Sequence, residues 1–123
     1  MGKFFRKAEH LLLHPEELLE LLSKGLKKAY SKRFALIHIF EDFLVLFRLV
    51  KAFVLGEYKD TPKKVILWAI FAILYFISPL DAIPDIFPGG YIDDIAFISF
   101  IVKRIRTDLE KFQEWEKIKK SKG

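Results

Sequence analysis

Leu18, Leu22, Leu26 and Ala29 follow one another at intervals of three and four residues, the spacing that lines one face of an α-helix. The run is introduced by His14-Pro15-Glu16-Glu17. Proline fits the first helical turn, where its missing N–H is not needed, and the glutamates oppose the positive helix end. A helix over about 15–30 is therefore predicted, with Gly25 a weak point inside it. Residues 1–14 are expected as a short amphipathic helix or a loose N-terminal arm. A second stripe, Ile39, Phe43, Leu46, Val50 and Phe53, predicts a helix over about 33–55. His38, Glu41, Asp42, Val45 and Arg48 fall on a mostly different face of it, and Gly56 is placed to end it.

The pattern then changes. Asp60-Thr61-Pro62 offers a cap and an N-terminal proline for a third helix, about 62–78. Val65 to Leu80 are sixteen consecutive uncharged residues, and a helix with no polar face has to be buried on all sides. Sixteen residues rise about 24 Å, short of the ~30 Å hydrocarbon core of a bilayer unless Lys63 and Lys64 snorkel. Three settings suit the segment: a short membrane span, one arm of a re-entrant hairpin, or the central helix of a bundle. Ile92 to Val102 is again apolar apart from Asp93, Asp94 and Ser99, and helical spacing continues through Ile105, Leu109 and Phe112, which predicts a fourth helix over about 92–119. The fold class is all-α: a small helical bundle, one domain over residues 1–123, in which the last two helices form a tight hydrophobic hairpin.

Composition and charge decide what that hairpin faces. Thirteen phenylalanines and a 52% hydrophobic content are rich for a chain of this size. The net charge of +5 is divided, with eight basic and four acidic groups in residues 1–33, the same in 103–123, and five basic against eight acidic between them. Basic ends flanking oily helices suit an anionic membrane face, and the positive-inside rule would then put both termini on the cytoplasmic side. Nucleic acid is disfavoured, because the basic residues are interleaved with acids and no nucleic-acid-reading motif is present. There is no cysteine, which excludes disulfides, thiol catalysis and cysteine-ligated metal. No signal peptide is read at the N-terminus, since the apolar run Leu11–Leu13 breaks at His14-Pro15.

The candidate chemistry lies between the arms of the hairpin. Tyr75 to Asp94 hold four aspartates, three prolines and two adjacent glycines. Ser78 can cap a short turn begun by Pro79, with Asp81 completing a capping box. Pro84, Pro88, Gly89 and Gly90 restrain and reverse the chain. Asp93 and Asp94 fall in the first turn of the last helix, where negative charge is favoured. The same carboxylates, Asp81, Asp85, Asp93 and Asp94, form a candidate acidic site for a hard divalent cation or a basic partner. Arg48 is a candidate ion-pair partner for one of them. His38, Glu41 and Asp42 share a helix face that simple solvation accounts for. His10 and His14 are four apart, but Pro15 signals a helix boundary rather than a preformed pair of ligands. No nucleophile elbow, phosphate loop or zinc-ligand spacing is present.

At this run the chain resembles the YkvA-like family of small bacterial and archaeal proteins, a conserved domain of unknown function. The likeness is carried by Tyr75, Ser78-Pro79-Leu80-Asp81, Ile83-Pro84-Asp85, and Gly90-Tyr91 with Asp93-Asp94, and extends over roughly residues 64–102. The resemblance implies membrane association and singles out the aspartates, but brings no enzymatic activity or cofactor with it. Phe87-Pro88-Gly89 departs from the usual fingerprint, and a different local shape is expected before Gly90.

The expected function is a non-enzymatic, membrane-associated helical scaffold or interaction module, with anionic lipid or a membrane protein as partner. One alternative is a soluble helical homo-oligomer whose acidic turn binds a divalent cation or basic partner. The weakest alternative is a cation-dependent enzyme. No cofactor is expected beyond such a cation.

Overall fold

A computed structural model describes residues 2–77 and 94–122 of the chain. Within them are six helices and no strand: α1 (Gly2–Leu12), α2 (Pro15–Ser31), α3 (Phe40–Val54), α4 (Lys63–Ile77), α5 (Asp94–Arg104) and α6 (Arg106–Lys122). The all-α bundle expected from the spacing is the observed architecture.

α2 begins at Pro15 with Glu16 and Glu17 in its first turn. Leu18, Leu22 and Ala29 are buried, together with Gly25. The glycine is a point of close approach. A Cβ at position 25 would lie 2.8 Å from Phe47 Cε1 and 3.2 Å from Ile73 Cγ2, so its absence lets α2 settle against α3 and α4. α1 is the short helix of the two N-terminal expectations, and it packs on α4 and α2 with Ala8 and Leu11 buried.

The second predicted helix starts later than its periodicity suggests. Residues 32–39 form turns and α3 begins at Phe40, because the chain must reverse there for α3 to pack back on α2. Leu36 and Ile39 keep the hydrophobic rhythm as buried residues of the connector, while Phe34 and Ile37 are exposed. Side chains help to close the end of α2. Ser31 Oγ donates to the Lys28 carbonyl at 2.8 Å, and Arg33 Nη1 donates to the Tyr30 carbonyl at 2.8 Å. α3 ends as expected at Gly56, whose φ of 78° is in the left-handed region. The Gly56 N–H bonds the Phe53 carbonyl and the Glu57 N–H the Ala52 carbonyl, the two bonds of a Schellman motif.

α4 is the centre of the molecule. Ile66 and every residue from Ala69 to Phe76 are buried, and α1, α2, α3 and α5 all pack against it. Its missing polar face is thereby explained by protein on all sides. This corrects the membrane expectation. Among the described residues no helix is long and apolar enough to cross a membrane. α4 has 15 residues, about 22 Å of rise against the ~30 Å a span requires. The transmembrane helix is therefore absent from the described residues. The membrane-associated scaffold, its lipid or membrane-protein partner and the cytoplasmic placement of its basic termini lose the segment that would have anchored them.

The last predicted helix is two. Ile105 interrupts it between α5 and α6, although Ile105 N–H still reaches the Ile101 carbonyl and Leu109 N–H the Ile105 carbonyl, both at 3.0 Å. α5 packs on α4, and α6 lies along α3. Ile98, Ile101, Val102, Leu109 and Phe112 are buried, and a belt of exposed ion pairs fastens α6 from outside. Arg106 meets Asp42 at 3.1 Å, Lys111 meets Asp60 at 3.5 Å and Lys119 meets Glu57 at 3.9 Å.

Candidate functional site

Two places hold candidate chemistry, and the structure describes one of them in full. Asp81, Asp85 and Asp93, with Ser78, Pro79, Pro84, Pro88, Gly89 and Gly90, lie outside the described residues. What is described are the two helices that flank them. α4 ends at Ile77 and α5 opens at Asp94, and the helices pack against each other. Their contact is aromatic, Phe97 lying against Tyr75 with ring centroids 4.3 Å apart and against Phe71 at 5.8 Å. Lys28 of α2 reaches the end of α4 and donates to the Phe76 carbonyl at 2.7 Å.

The aspartates expected to partner Arg48 have side chains outside the described residues, and among the described ones Arg48 is met by Glu116 of α6. Its Nε and Nη2 donate to the two carboxylate oxygens at 2.8 and 3.2 Å. His38 and Glu41 are exposed, and Asp42 is taken by Arg106. The face that holds these three residues is thus a surface with one interhelical ion pair.

The described cluster is at the corner between α1 and α2. His10 is in the last turn of α1, His14 in the joint, and Glu17 in the first turn of α2. One ligand atom from each lies within 4.8 Å of the others. His10 Nε2 donates to Glu17 Oε2 at 2.9 Å, and both side chains are more than half exposed. His14 Nδ1 lies 2.7 Å from the His10 carbonyl. A carbonyl oxygen only accepts, so Nδ1 carries the proton, and a neutral His14 presents its lone pair at Nε2. The two imidazoles stack with centroids 4.0 Å apart and planes 21° apart. Two imidazole nitrogens and a carboxylate oxygen, accessible and convergent, can ligate a divalent metal.

Sequence spacing places a helix boundary at Pro15, and the boundary is there. It assembles the cluster instead of dispersing it. The turn at Leu13 and His14 folds His14 back over the end of α1, and α2 then starts with Glu17 facing His10. The legible signal is His-x3-His with a glutamate three residues on, across a proline.

Comparison with known proteins identifies the family. Residues 65–100, which are α4, the acidic segment and most of α5, match the family described as "Protein of unknown function (DUF1232)". The Bacillus subtilis (strain 168) protein described as "Uncharacterized membrane protein YkvA" is 31% identical over 93 residues, covering 75% of this chain and 84% of that protein. The chain belongs to the YkvA-like DUF1232 family. No solved structure matches it. The match to the DUF1232 model takes in the central helix and the acidic segment but stops short of the α1–α2 corner, so the family motif and the histidine cluster occupy different parts of the chain.

Proposed function

We propose that this protein is a non-catalytic helical module that binds a divalent cation. The observation that carries the reading is the convergence of His10, His14 and Glu17, three side chains of metal-ligating type on three consecutive segments. The groups are solvent-accessible, so an ion reaches them without any opening of the core.

The acidic segment is a second candidate within the same reading. Asp81, Asp85, Asp93 and Asp94 are oxygen donors suited to Mg²⁺ or Ca²⁺. Support comes from the packing of α4 on α5, which draws together the two helices that carry the segment's ends.

Isothermal titration calorimetry of the full chain with Zn²⁺, Mg²⁺ and Ca²⁺ tests the reading and locates the ion. Binding lost in His10→Ala and His14→Ala assigns it to the α1–α2 corner. Binding lost in Asp81→Asn assigns it to the acidic segment. Absence of binding for all three ions overturns the function.

A further inference from the structure

Resting on the cation-binding reading above, we propose that the His10–His14–Glu17 cluster takes a borderline transition metal, zinc foremost, and that the bound metal clamps α1 onto the bundle. The donor set selects the metal class. Mg²⁺ and Ca²⁺ demand oxygen ligands, whereas zinc and its neighbours favour imidazole nitrogen completed by carboxylate and water.

The corner already has features of such a site. His14 donates its Nδ1 proton to a backbone carbonyl, that of His10, at 2.7 Å. Ligating histidines are commonly held this way, the second nitrogen fixing tautomer and ring orientation. His10 and Glu17 already face each other across a single proton at 2.9 Å. An ion entering there replaces that proton. The Nε2–H bond of His10 breaks, its electron pair goes to the metal, Glu17 Oε2 transfers from the proton to the metal, and the proton leaves to solvent. His14 Nε2 supplies the third ligand and water the remaining position.

The clamp follows from where the ligands sit. His10 belongs to α1 and Glu17 to α2, and α1 packs mainly on α4. Among the described side chains of α1, those held in the core are small or few: Ala8 and Leu11 are buried and Leu12 is partly so. Displacement of α1 from α4 by pivoting at Leu13–His14 carries His10 away from Glu17, so the helix cannot leave without breaking the coordination. A ligand that binds only the docked state suppresses the undocked one by the factor 1 + [L]/Kd, about 100-fold at a free concentration of about 100 Kd.

Hydrogen–deuterium exchange of the full chain, read for the amides of residues 2–12 with and without zinc, tests the clamp. Exchange of α1 is expected to slow by up to about 100-fold at ~100 Kd. The effect is expected to vanish in His10→Ala and in Glu17→Gln and to be absent with Mg²⁺. Both variants alter exposed side chains, and unchanged exchange of the α4 amides in the metal-free variants verifies that the fold persists. Zinc bound by calorimetry with no slowing in α1 overturns the clamp and leaves the cation reading standing. Equal slowing with Mg²⁺ overturns the metal class. If calorimetry detects no metal at all, the cation reading itself fails.

Discussion

Lys28 Nζ donates to the Phe76 carbonyl at 2.7 Å and lies 5.1 Å from the centroid of the Phe76 ring. α4 carries no basic residue in its last turn, so α2 supplies from outside the cation that a helix C-terminus favours. The bond is partly buried and joins residues 48 apart in sequence. It fixes the register of α2 against the end of the central helix, immediately before the acidic segment.

Lys28→Met keeps the aliphatic stem and removes the charged donor. A loss of about 1–2 kcal/mol is expected, the worth of a charge-assisted bond with partial solvent access. Urea unfolding of the two proteins gives the difference, and coincident midpoints would show that the contact does not contribute.

Gly25→Ala sets two effects of opposite sign against each other. In an exposed helix the change stabilises by about 1 kcal/mol. Here the new methyl meets the buried Phe47 ring at 2.8 and 3.0 Å and Ile73 at 3.2 Å, and overpacking of this kind costs about 1–3 kcal/mol. Phe47 is only 4% exposed and has little room to retreat, so net destabilisation is expected. A raised midpoint in thermal unfolding would show that the α2–α3 contact yields.

Features set by neighbours in sequence were legible beforehand, and those set by distant contacts were not. Pro15, Glu16 and Glu17 mark the start of α2, and Gly56 the end of α3, because each acts within one helical turn. The connector at 32–39 escaped, since Leu36 and Ile39 continue the apolar period through a bend that only the packing of α3 on α2 requires. Sequence alone does not choose among three environments for α4, because an all-apolar helix looks the same to lipid and to four protein neighbours. The pairing of Arg48 with Glu116 joins residues 68 apart in sequence, beyond the reach of any local pattern. The His10–His14 spacing alone does not point to a site, because Pro15 ends a helix there. The turn that Pro15 accompanies is what brings Glu17 to them.

Tyr58 predicts a response to alkaline pH. It is buried against Phe112 and Trp115, with ring centroids 5.1 Å from each. Burial raises its pKa above the ordinary value of 10.0, and the carboxylates of Asp60 and Asp108 raise it further. The fold thus favours the neutral phenol. The associated stability is complete below about pH 10 and is lost as pH rises through the higher folded-state value. Tyr58→Phe keeps the ring and abolishes this titration. Urea midpoints of both proteins from about pH 8 to above pH 11 should diverge only on the alkaline side, with wild type falling more steeply. Parallel curves would place the phenol in water.

The Arg48–Glu116 pair joins α3 to α6 with two bonds at 2.8 and 3.2 Å. Its side chains are 50% and 25% exposed, so water screens the attraction and bounds its worth. A double-mutant cycle of Arg48→Met and Glu116→Gln is expected to give a coupling of about 0.5–1 kcal/mol, the upper part of the range for exposed pairs, because the forked geometry restricts both partners together. Added salt should reduce the coupling, since a charge pair open to solvent is screened over about 10 Å at 0.1 M ionic strength. Additive losses in the cycle would mean that this pair does not hold α6, which then rests on its other contacts, Leu109 and Phe112 in the core among them. In that case the charges of Arg48 and Glu116 are solvated rather than joined.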